Sequence, residues 1–234
     1  MNFFDLSILH FFNDFASLSA KLDHAIILIS EKHIFKMLIP MLFLWWAWFK
    51  IDSMQESNRS KVIATFIGAF VGLFIARGLT FILPFRFRPI HQEEITLNLP
   101  YGFIVEKLDG WSSFPSDHAV LLFSLLTGIF LISKRLAIVA LIYTTIIVIF
   151  PRIYLGLHYP TDLIAGAIFG IMITLLFHIK YFTERLTHPI INFSKSKPEL
   201  FYPLFFFISY QTIDLFEGVR AGGALVKTIL YYPY

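Results

Sequence analysis

Long apolar runs alternate with short polar interruptions along this chain, and the interruptions carry most of its charge. Residues 34–49, 62–83, 117–133, 136–150, 161–179 and 201–216 are each apolar and close to the length a helix needs to cross a bilayer. The pattern predicts about six helical spans, because a bilayer interior leaves backbone N–H and C=O groups no partner outside a helix or a closed barrel. Ala25 to Ser30 is apolar too and would extend the first span backwards. Ahead of it, Phe4, Ile8, Phe11, Phe15, Leu18 and Leu22 recur at helical spacing, with His10, Asn13, Asp14 and Ser17 opposite. That spacing predicts a helix over 3–22, lying in the membrane interface or capping the bundle.

Two details refine the bundle. Trp45, Trp46 and Trp48 close the first span as an aromatic belt would. Gly68, Gly72 and Ala76 recur every four residues in the second, which lets a neighbouring backbone come close. The predicted fold class is all-α, a polytopic transmembrane bundle formed by one domain over 1–234. It has an interfacial segment over 1–33, a core over 60–180, and a last span and tail over 198–234.

A length of 234 residues would suit one or two soluble domains, but 57% hydrophobic residues, 15% charged residues and a mean hydropathy of +0.70 exclude that class. The net charge of +3 is scattered through short loops rather than gathered into a patch, so no nucleic-acid partner is expected. With no cysteine, disulfides and thiolate chemistry are excluded. Asp5 and Asp14 stand where a signal peptide would open with basic residues, so the N-terminus is expected to be retained.

Counting turns places loops 84–114 and 151–160 on one side with both termini. Lys50, Arg59, Lys61, Lys134, Arg135, Lys180, Arg185, Lys195 and Lys197 fall on the other. The positive-inside tendency then turns the two loops away from the cytoplasm. The expected location is a bacterial cytoplasmic membrane, with those loops on its outer face.

These loops hold the candidate chemistry. Arg152, His158 and Asp162 stand in the order Arg-x5-His-x3-Asp between two apolar runs, where a bilayer tolerates them only with a task or a partner. Pro160 suits a helix start, which puts Asp162 in the first turn. There its carboxylate can take the proton on one ring nitrogen of His158 and leave the other lone pair free to attack. Pro115-Ser116-Asp117-His118 sits at the second such boundary. Ser116 and Asp117 there can cap a helix or help hold an anion, while His118 needs a polar partner inside a membrane helix. Arg77 either snorkels to the interface or points into a polar site, close ahead of Arg86 and Arg88. Asp214, Glu217 and Arg220 pair with one another or reach a headgroup. A metal held by His118, His158 and Asp162 is a competing chemistry, but the crowd of arginines suits an anion and repels a cation. The residues therefore point to a phosphate-handling membrane enzyme.

Arg152-x5-His158-x3-Asp162 and Pro115-Ser116-Asp117-His118 resemble the third and second signature motifs of the type-2 phosphatidic acid phosphatase superfamily. In that family the second motif usually reads Pro-Ser-Gly-His. The first motif is matched loosely: Arg88-Pro89 supplies its end, but Phe81 stands seven residues before Arg88 where the family has a basic residue. The resemblance covers about residues 60 to 180, and the layout is similar to the bacitracin-resistance type of undecaprenyl diphosphate phosphatase. It implies that His158 attacks phosphorus to give a phosphohistidine while Asp162 holds its ring. His118 would protonate the leaving oxygen and later draw a proton from water. Arg152, Arg88 or Arg86, Arg77 and Ser116 would hold the phosphoryl oxygens, with no metal or other cofactor. The implied partner is a membrane lipid phosphate or diphosphate; a phosphotransferase and a non-catalytic carrier of anionic lipid are the alternatives. Oligomeric state leaves no trace in the sequence.

Overall fold

The computed structural model describes residues 2–105 and 110–215, and among these every regular element is helical. Two helices, α1 (Phe3–Asn13) and α2 (Ala20–Glu31), precede the bundle. The first spans are α3 (His33–Phe49) and α4 (Gln55–Ile82). After a long loop come α5 (Asp117–Ile132), α6 (Lys134–Thr144) and a π-helical turn over Thr145–Ile149 leading into α7 (Phe150–Tyr154). The chain continues through α8 (Pro160–Phe177), α9 (Lys180–Ser196) and α10 (Pro198–Ile213). Gln55–Ile82, Lys134–Tyr154 and Pro160–Phe177 are long and apolar enough to cross a membrane, and His33–Phe49 and Asp117–Ile132 are shorter apolar helices.

The centre is the triad α4, α5 and α8, which pack on one another more extensively than any other elements. Small residues allow it. A side chain at Gly68 would meet the backbone of Thr174 at 2.9 Å, and one at Gly170 would drive into the carbonyl of Val120. The predicted stripe on the second span is therefore a contact surface for α8 and α5. The π-helical turn has a local cause. Pro151 has no N–H and its ring collides with the carbonyl four residues back, so the ladder widens ahead of it and the span continues.

Four expectations need correction. The predicted helix over 3–22 is broken: α1 ends at Asn13, Ser17 takes φ 63, and Ser19 caps α2 by accepting from the Leu22 N–H. Phe4, Phe11, Phe15, Leu18 and Leu22 do face outward, but Asp5 and Asn13 turn inward and are buried. The stretch Ala25 to Ser30 belongs to α2, separated from the first span at Lys32. The tryptophans do not form a belt. Trp48 is fully buried, stacks on Phe201 at 5.2 Å and donates to the Tyr202 hydroxyl. Trp45 stacks on Phe205 and donates to Ser209, so of these three only Trp46 faces outward. The membrane-facing tryptophan pattern is thus largely an α3–α10 aromatic core. α9, an amphipathic helix with Thr187, Ile191 and Ser194 buried, lies where the sequence reading placed a basic loop. Glu217 and Arg220 lie outside the described residues.

Candidate active site

The loops after α4 and α7 meet at one end of the bundle. Ile90 N–H donates to the Gly156 carbonyl (3.0 Å), Ser113 N–H to Arg86 (2.9 Å), and Ser116 N–H to Asp162 (3.3 Å). Gly156 has φ +63, and a side chain on it would strike Leu97 and Ile90, so only glycine lets the two loops close here. The peptide between Phe114 and Pro115 is cis. The hydrogen bonds between the loops bring the two predicted clusters together.

His158 is almost fully buried. Its Nδ1 lies 2.9 Å from the Ser113 carbonyl oxygen, which can only accept, so the hydrogen is on Nδ1. Asp162 Oδ2 is 3.7 Å from the same nitrogen, within ion-pair reach but too far for a hydrogen bond. The expectation that Asp162 takes this proton is corrected. Its Oδ2 accepts from the Tyr159 N–H as the first-turn cap of α8, and its Oδ1 accepts from Arg86 at 2.5 Å. Sequence reasoning missed Ser113 because a backbone carbonyl leaves no mark in residue type.

With Nδ1 occupied, the lone pair of His158 is on Nε2. That atom lies 3.2 Å from an Arg88 terminal nitrogen and 3.5 Å from Ser116 Oγ. Ser116 opens α5 but its hydroxyl makes no cap bond, so it is directed at the histidine instead. Burial pulls the His158 imidazole below the ordinary histidine value; Asp162 opposes the shift, and the charges of Arg88 and Arg152 reinforce it. The ring is therefore neutral near pH 7, with its lone pair available. Arg88 donates to the Leu157 carbonyl (2.7 Å), while its buried Nε has no hydrogen-bond partner among the described residues. Burial lowers its pKa as well, the signature of a cation short of solvation.

On the other flank, His118 Nε2 lies 2.7 Å from an Arg152 terminal nitrogen. A guanidinium only donates, so this Nε2 accepts and the His118 hydrogen is on Nδ1, pointing to Asp117 at 3.1 Å. Arg77 pairs with Asp117 (3.5 Å) and donates to the Leu215 carbonyl (3.2 Å). Arg77, Arg88, Trp111, Ser112, Asp117 and His158 border a cavity of about 180 Å³. Arg86 is elsewhere. It spans Asp162 and Asp5, donates to Thr161 and lies 4.1 Å over the Tyr159 ring. Of the two arginines offered for the first motif, Arg88 is beside the histidine and Arg86 is behind it. Among the described residues no three His, Asp or Glu side chains converge as metal ligands.

These features define a class: a helical membrane protein whose polar end gathers guanidiniums around a buried imidazole, an arrangement made for an oxyanion. The chain belongs to the PAP2 superfamily, whose family model matches residues 62–186. It is 31% identical over 117 residues to the Putative undecaprenyl-diphosphatase YbjG of Escherichia coli (strain K12), a match covering 50% of this chain and 54% of that protein. It is 29% identical over 174 residues to the Bacitracin transport permease protein BcrC of Bacillus licheniformis, covering 74% and 79%. It is 40% identical over 88 residues to the Lipid A 4'-phosphatase of Bacteroides thetaiotaomicron, covering 36% and 38%. The chain thus spans about half the length of the first of these relatives. No solved structure matches it.

Proposed function

We propose that this protein is a lipid phosphatase of a bacterial cytoplasmic membrane, with its site at the outer face, working through a phosphohistidine on His158 without a metal. The observation that carries the reading is the tautomer: Ser113 fixes hydrogen on Nδ1, which leaves the Nε2 lone pair beside Arg88 and Ser116. In the first step Nε2 bonds to phosphorus and the bond to the leaving oxygen breaks. Arg88, Arg152 and Arg77 stabilise the charge spread over the equatorial oxygens, and Ser116 adds a hydroxyl. Asp162 balances the positive charge that then develops on the ring. In the second step His118 takes a proton from water as the water displaces His158. The guanidiniums around the cavity disfavour a cation there, which supports metal-independent chemistry.

Undecaprenyl diphosphate is the substrate we favour. His118 has no hydrogen on Nε2 while that atom accepts from Arg152, so it is set as a base rather than an acid. A diphosphate expels a phosphate, whose second pKa of about 6 leaves little need for protonation, whereas a monoester expels an alkoxide. The name of YbjG accords with this substrate, and that of the Bacteroides relative makes lipid A the second candidate. Phosphatidylglycerol phosphate and phosphatidate complete the panel. The name of BcrC speaks of transport rather than hydrolysis, so carriage of an anionic lipid without turnover is a different reading, and phosphate transfer to an acceptor lipid is a further one. Purified protein in detergent with EDTA should release phosphate from undecaprenyl diphosphate fastest and yield an acid-labile phosphoenzyme. Lipid binding with no turnover on any of the four substrates would establish the carrier instead, and label on an acceptor lipid the transferase.

A further inference from the structure

The buried carboxylate of Asp5, on the N-terminal helix, belongs to neither signature cluster. Its Oδ1 accepts from the Thr161 N–H (2.9 Å), and its Oδ2 accepts from the Thr161 hydroxyl (2.7 Å) and from Arg86 (2.8 Å). Arg86 gives its other terminal nitrogen to Asp162. One guanidinium is thus shared between two carboxylates, and only the second lies beside His158. We propose that Asp5 is a positioning residue for the phosphate-transfer site: by drawing off part of the Arg86 charge and fixing the first turn of α8, it keeps Asp162 negative enough to support the imidazolium of His158. The inference rests on the phosphohistidine reading above.

The charge balance supports the role. Arg86, Asp162 and Asp5 together are formally −1, and without Asp5 the remaining pair is neutral and Arg86 belongs to Asp162 alone. The remaining groups facing His158 are Arg88 from the loop after α4, Arg152 from α7, and Asp117 and Ser116 from the start of α5. His118 acts on it only through Arg152. Two cations and one carboxylate on that side leave Asp162 as the nearest counter-charge to the ring nitrogen that bears hydrogen. α1 is two-faced: Phe3, Phe4 and Phe11 are exposed while Asp5 is buried, so Asp5 is how this helix grips the loop that leads into α8.

Opposite shifts test it. Asp5→Asn removes a negative charge and should lower the His158 pKa, moving the acid limb of kcat/KM to lower pH and reducing kcat about 10- to 100-fold, by analogy with the loss of an outer partner of a metal-bound histidine. Arg86→Gln removes the positive charge and should move the same limb to higher pH, and the double variant should fall between them. A merely structural anchor would lower expression or melting temperature without moving the limb in either direction. Histidine 15N NMR of full-length protein in nanodiscs reads the same titration without turnover, so it remains decisive if the phosphatase reading fails. If Asp5→Asn does not fold, Arg86→Gln and Asp5→Glu, which keeps the charge, carry the test. A His158 titration unchanged by Arg86→Gln, or lowered by Asp5→Glu as far as by charge removal, overturns the proposal.

Discussion

Most of the buried charged side chains among the described residues fall in two neighbouring regions, and the polar groups of those regions are satisfied to different degrees. In the N-terminal clasp each group is fully engaged. Asn13 uses both ends of its amide on Asn98 and reaches the Tyr154 carbonyl, and Asp23 accepts from the Ser17 and Tyr101 N–H groups and the Tyr154 hydroxyl. At the mouth of the bundle the accounting is open. The Arg88 Nε makes no bond among the described residues, and the contacts to His158 Nε2 are long, at 3.2 and 3.5 Å. A closed network holds a fold in place, because opening it strands buried donors and acceptors. An open one with surplus donors stores a demand that an arriving phosphate meets. The two regions touch through Arg86, whose guanidinium serves both.

Substitutions should separate them. The largest effect is expected from His158→Ala, a loss of at least about 10³-fold in kcat with the fold intact, as for the removal of a nucleophile. Phosphate release undiminished in that variant would break the distinction outright. Asp162→Asn should cost about 10²-fold, well short of the roughly 10⁴ that follows when a triad carboxylate alone fixes the tautomer, since the Ser113 carbonyl still holds Nδ1–H. A 10⁴-fold loss measured by steady-state kinetics would return the orienting role to Asp162. His118→Ala should cost a monoester and a diphosphate similar factors, roughly 10²-fold, because both leave the same phosphohistidine for the base to hydrolyse; a loss at least about 10-fold larger on the monoester would show that the ring acts as an acid instead.

The pH dependence sharpens the same point. On the proposed mechanism His158 must be neutral to attack, and burial lowers its pKa, so activity should be retained as pH falls past the ordinary histidine value and lost only when the depressed value is reached. The acid limb of kcat/KM should therefore lie below about pH 6.5. The smallest effect belongs to the clasp. Tyr154→Phe leaves the buried Asp23 Oδ1 without its hydroxyl and should destabilise by about 1–3 kcal/mol, read as a lower melting temperature, with kcat nearly unchanged. A large loss of kcat at unchanged stability would show that the clasp does chemistry after all.

Much of this was legible beforehand, for identifiable reasons. Long apolar periodicity marked α3 through α8 because the bilayer enforces it, and the glycine stripe marked α4 because close packing permits little else. The motif residues were readable because titratable side chains are costly between spans. Ser17 escaped: it turns the chain at φ 63 without a glycine or proline to signal the corner, its N–H held by Asp23. α9 escaped because its mean character is polar and its apolar stripe short. The roles of Asp5 and Asp23 escaped, since what distinguishes them is a partner about 80 or more positions away, and no local pattern encodes that distance. The tryptophans misled because a belt and a buried stack use the same letters.

The carbonyl of Ser113 has one further implication. Because the group that sets the proton on the His158 ring is main chain, no exchange of side chain can delete it, and the aim of the proposed nucleophile is insulated from most point changes. Its weakness lies in spacing instead: one residue inserted between Gly110 and Pro115 would swing that oxygen away and disarm the protein while every signature letter stayed in place. Homologues that keep both motifs but differ in the length of this stretch are where inactive cousins should be sought.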